Sequence, residues 1–101
     1  MEETYFNFTF EQLLNAVECV FDKDEYDIRI KDRSKNGYKQ IILTLGNKDI
    51  DITCYNNYGS SNVYEIGLLN DSVSLHSDMF GNMTAQQIAF LFSELVDNIE
   101  D

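Results

Sequence analysis

The sequence predicts an α+β fold: an antiparallel sheet of four to five strands, with an N-terminal and a C-terminal helix packed on one face. Three observations carry this expectation. Apolar residues recur with helical period at both ends of the chain, and they alternate with period two between those ends. The turns between the alternating runs are short, which makes neighbouring strands antiparallel. A chain of 101 residues has the common size of a single domain, and residues 1–101 are read as one acidic domain. At 44% hydrophobic residues the chain carries enough apolar side chains for a core, so disorder of the whole is not expected despite its charge.

The first helix is expected from about Phe10 to Phe21. Thr9 and Gln12 have the capping-box spacing, in which each side chain satisfies the other residue's backbone amide. Phe10, Leu13, Leu14, Val17, Val20 and Phe21 then share a face, and Glu11, Asn15, Glu18 and Asp22 lie opposite. Period two begins at Ile28 and Ile30. Ser34-Lys35-Asn36-Gly37 is a turn, followed by alternation through Ile41, Leu43 and Leu45. Gly46-Asn47 is a second tight turn before Ile50, Ile52 and Cys54. A polar loop is expected at Asn56 to Ser61, a fourth strand at Val63 to Leu69, and a short fifth strand at Val73 to His76. Thr84 and Gln87 repeat the capping-box spacing, and Ala85, Ile88, Ala89, Phe92, Leu95, Val96 and Ile99 form the apolar stripe of the last helix. The order is therefore α-β-β-β-β-(β)-α, with the second sheet face left open to water.

Charge is the unusual feature. Eighteen acids stand against seven bases, a formal net of −11. All seven bases lie between Lys23 and Lys48, where four acids accompany them. The first hairpin is thus expected to carry Arg29, Lys31, Arg33, Lys35 and Lys39 as a basic stripe, which also guards an edge strand against mispairing. The helices and the C-terminal half present carboxylates. Such a field repels nucleic acid and anionic lipid, so neither is an expected direct partner. A basic protein surface is.

No charged leader with an apolar run opens the sequence, and no apolar stretch is long enough to span a bilayer. A cytoplasmic location follows as an expectation, in a bacterium or a phage-infected cell, with Cys19 and Cys54 reduced.

Catalytic and metal motifs are weak. His76 lies near Asp78, but no nucleophile elbow accompanies it. The two cysteines are widely separated, with no CxxC pair. The run from Asp22 fails the calcium-loop pattern, because Asp27 stands where glycine is needed and Arg33 where glutamate is needed. No glycine-rich phosphate loop occurs. No enzyme activity, cofactor or metal is expected.

The expected function is that of an acidic, non-enzymatic inhibitor that docks on a basic, nucleic-acid-handling protein such as a nuclease. Carboxylates would take the place of phosphates before the partner's Arg and Lys. Phage anti-defence proteins of the anti-CRISPR or DNA-mimic type, and immunity proteins against nuclease toxins, share this logic. The expected contact residues are Glu11, Glu18 and Asp22 on the first helix and Phe90, Glu94 and Asp97 on the last, with Phe90 as an apolar anchor among acids. The alternative is a homo-oligomeric or adaptor protein that uses an edge strand or the open sheet face. Tyr38 and Tyr55 are expected on that face with Asp49 and Asp51, and six tyrosines (Tyr5, Tyr26, Tyr38, Tyr55, Tyr58 and Tyr64) are counted as interface material.

Overall fold

The computed structural model describes residues 5–55 and 62–99. The expected polar loop at 56–61, with Tyr58, lies outside the described residues. Helix α1 spans Phe10–Val20, followed by β1 (Asp27–Arg33), a 3₁₀ turn (Ser34–Asn36), β2 (Tyr38–Leu45) and β3 (Lys48–Tyr55). Then come β4 (Val63–Gly67), β5 (Ser72–His76), a short α2 (Ser77–Phe80) and α3 (Ala85–Asp97). The strands form one sheet in the order β1-β2-β3-β4-β5, and every neighbouring pair is antiparallel. The fold is α+β, as the periodicities predict.

Both long helices start where their capping boxes require. Gln12 N donates to Thr9 Oγ1 at 3.2 Å, and Thr9 N donates to Gln12 Oε1 at 2.8 Å. Thr84 and Gln87 repeat the exchange at 3.1 and 2.9 Å. Each cap is worth about 1 kcal/mol. The tight turns rest on two glycines in the left-handed region, Gly37 at φ 89° and Gly46 at φ 66°.

One face of the sheet makes the core. Ile41, Leu43, Ile50, Ile52, Cys54, Tyr64, Ile66 and Leu75 are buried against Leu13 and Val17 of α1 and Ile88, Ala89 and Phe92 of α3. The two helices pack side by side over this layer. Phe21, the C-cap of α1, joins them with its ring centroid 5.1 Å from that of Phe92.

Several details differ from the sequence expectations. Tyr64 is a core residue rather than interface material. It is packed between Phe6 at 5.0 Å and Phe8 at 5.5 Å, and burial pushes its phenol well above the usual range. Those two phenylalanines bring the segment before α1 into the core. Strand β4 ends at Gly67 rather than Leu69, because Leu68 N turns to donate to Asp71 O at 2.8 Å. Lys39 leaves the basic stripe. It pairs in register with Cys54, so it points to the helix side and lies 5.5 Å from the Phe10 ring centroid. Helix α2 has no counterpart in the expected element order. Among the described residues no helix is long and apolar enough to cross a membrane.

Candidate functional site

Two surfaces carry chemistry, and they lie on opposite sides of the sheet. On the helix side, Phe90, Glu94 and Asp97 fall at i, i+4 and i+7 of α3, which sets them along one stripe. All three are exposed, and Phe90 keeps 54% of its surface in water. Glu94 and Asp97 have no ion-pair partner among the described residues. The result is a large apolar side chain followed by two free carboxylates.

The carboxylates on α1 have different surroundings. Glu11 is exposed in the first turn, where its charge offsets the positive end of the helix dipole. Glu18 is half-buried and already paired with Lys23 at 2.9 Å. Asp22 is exposed, and its Oδ1 accepts from Asp24 N at 2.8 Å.

The C-terminal ends of α1 and α3 meet at Tyr26. The Phe21 ring lies 5.2 Å from it, edge to face, and the Tyr26 side chain shares a shallow cleft with Val96, Asp97 and Ile99. Burial first, then the charges of Glu25 and Asp97, raise the Tyr26 phenol above its ordinary value. Neither helix has a base in its last turn. Helix C-termini favour cations, so carboxylates there oppose local stability.

The second surface is the open sheet face. Register brings its residues into rows that cross the sheet. One row reads Arg33, Tyr38, Tyr55, Val63, His76; the next reads Lys31, Gln40, Thr53, Glu65, Ser74; the third reads Arg29, Ile42, Asp51, Gly67, Ser72. The bases stand on β1 together with Asp27, and the acids Asp49, Asp51 and Glu65 stand on β3 and β4. Tyr38 and Tyr55 are on this face as expected, with ring centroids 6.4 Å apart. Arg29 Nη2 donates to Thr44 Oγ1 at 3.1 Å, and that hydroxyl donates to Asp49 Oδ1 at 2.6 Å. Gln40 Nε2 donates to Thr53 Oγ1 at 3.1 Å, which explains how Thr53 is buried among polar neighbours.

Asp51 is half-buried beside Gly67, and its carboxylate takes the space that a side chain there would need. A Cβ on Gly67 would lie 2.8 Å from Asp51 Oδ1. Desolvation, then the neighbouring Glu65 charge, raises the Asp51 carboxyl above the usual range, against the Thr53 and Gly67 hydrogen bonds.

Glu65 was not singled out from the sequence. Its parity with Tyr64 and Ile66 was the available signal, but its place beside Asp51 depends on the β3–β4 register. His76 and Asp78 are exposed, and Cys54 is buried in the core. Among the described residues no group of three or more His, Cys, Asp or Glu side chains is placed to hold a metal ion. Comparison with protein-family models, with curated proteins and with solved structures gave no match to this chain.

Proposed function

We propose that this domain is a non-enzymatic inhibitor that captures a basic, nucleic-acid-handling protein on its helical side. The observation that supports it best is the α3 stripe, where exposed Phe90 leads into the unpaired Glu94 and Asp97 at the end of the helix. Carboxylates at that end work against the helix dipole, so they gain more from an external cation than from their own fold. Phe90 supplies the desolvated anchor that surface charge alone lacks. Asp22 and Glu25 extend the negative region around Tyr26, whereas Glu18 is occupied by Lys23. A nuclease or another protein with a groove built for phosphates meets these requirements. Its arginines would find carboxylates where they otherwise find nucleic acid. The bacterial or phage-infected cytosol is the setting in which such a partner would be met.

The test is affinity capture by the full chain from its source cells, followed by binding measurements on the partner identified by mass spectrometry. Phe90→Ala is expected to weaken capture by about 2 kcal/mol. Glu94→Lys with Asp97→Lys should slow association and flatten its dependence on salt. Unchanged affinity in both variants would sink the proposal.

A further inference from the structure

The open sheet face carries its three bases on β1, with Asp27 beside them, and its other three acids on β3 and β4. Lys31 on β1 and Glu65 on β4 share one register row, three strand intervals apart. At about 4.8 Å per interval they are roughly 14 Å apart, too far to pair within one copy. Neither is in an ion pair among the described residues. The face as a whole is close to neutral: its described charges are three bases (Arg29, Lys31, Arg33) and four acids (Asp27, Asp49, Asp51, Glu65). The surplus carboxylates of the chain therefore lie elsewhere and do not bar a like-charged neighbour from this side, given a screening length of about 8 Å at physiological salt.

A uniformly charged partner would be repelled by one half of such a face. A second copy would not be. We propose that the open sheet face binds another copy of this chain, face to face, about a twofold axis parallel to the strands between β2 and β3. That operation keeps each register row opposite itself, reversed. Lys31 then meets Glu65 of the other copy, and the pair occurs twice because the interface is isologous. Tyr38 meets the second copy's Tyr55, and Arg29, already beside Asp27 and Asp49 of its own copy, lies over Gly67 and the Asp51 carboxylate next to it. The other in-plane twofold, across the strands, lays β1 on β1 and sets base against base. Three bases against the one acid of β1 on this face, Asp27, make that axis the less favourable of the two. Two sheets stacked this way lie about 10 Å apart, within the combined reach of Lys and Glu.

The surface is small. The four strands that overlap about this axis, β1 to β4, average about seven residues and cover roughly 19 by 23 Å. This is below the approximately 800 Å² per partner of a standard interface, so the dimer is expected to be weak, in the micromolar range. It leaves the α3 stripe free, because α3 covers the opposite side of the sheet.

Sedimentation velocity on the full chain, across a concentration series at physiological ionic strength, tests the proposal. The wild type should dimerise. Lys31→Glu and Glu65→Lys should each raise the dimer Kd by about tenfold or more, with circular dichroism unchanged. An equimolar mixture of the two variants should recover association, because Glu at position 31 of one meets Lys at position 65 of the other. A wild type that stays monomeric, a dimer indifferent to either substitution, or a mixture that remains monomeric would overturn it.

Discussion

Asp51 sits where its charge is disfavoured. It is half-buried, with Glu65 beside it and Gly67 beneath it, and its carboxyl is held above the ordinary value. An acid whose folded pKa exceeds its unfolded one binds protons more tightly in the native state. Stability therefore falls as pH rises through the window between the two values, and the penalty stands in full above it. Asp51→Asn should stabilise the protein at neutral pH by less than about 1 kcal/mol after solvent screening, and the difference should vanish once acid protonates the wild-type side chain. Urea denaturation of both proteins at neutral and acid pH checks this, and a loss of stability at neutral pH would contradict it. Period two in the sequence was enough to place Asp51 and Asp49 on the open face. It could not show the pressure on Asp51, because that comes from β4 across a register set by contacts distant in sequence. Tyr64 teaches the converse lesson. Its parity with Ile66 marks a core position, and that local signal outweighs the general enrichment of tyrosine at interfaces.

At the level of elements, the helix starts were the most legible feature, because a capping box is a three-residue device that needs no tertiary partner. The helix ends were legible only in part. The last turn of α3 carries Glu94 and Asp97 and no base, and that pattern was visible in the sequence. That α1 ends beside it at Tyr26 was not, since the crossing of the helices depends on how Phe21 meets Phe92. The dipole argument separates binding from folding here. Glu94→Lys replaces an unfavourable charge with a favourable one, so the isolated domain should gain a few tenths of a kcal/mol while partner capture declines. Thermal unfolding of the free variant measures the first effect, and a fall in stability would show that Glu94 has a structural role. On the sheet, the edge position of β1 accounts for Ile30, which faces the helix side yet keeps 53% of its surface exposed. Its side chain lines an open cleft with Phe10 and Leu14 of α1.

For the molecule as a whole, a net charge of −11 on 101 residues is a source of self-repulsion that the compact state must bear. The described ion pairs are few and mostly exposed, so salt has little attraction to screen and much repulsion to relieve. The melting temperature should therefore rise between low and physiological ionic strength. A fall, read by circular dichroism, would mean that the ion pairs outweigh the surplus charge.

The packing of α1 against α3 has a further consequence for synthesis. Every strand finds its sheet neighbour next in sequence, so the ribbon can assemble hairpin by hairpin as it emerges from the ribosome. Its apolar side stays half-roofed until Ile88 and Phe92 arrive, because only α3 brings them. A nascent chain stalled before that helix would show Leu43, Ile52 and Ile66 to any chaperone within reach, and release from such a holder would coincide with delivery of the final helix.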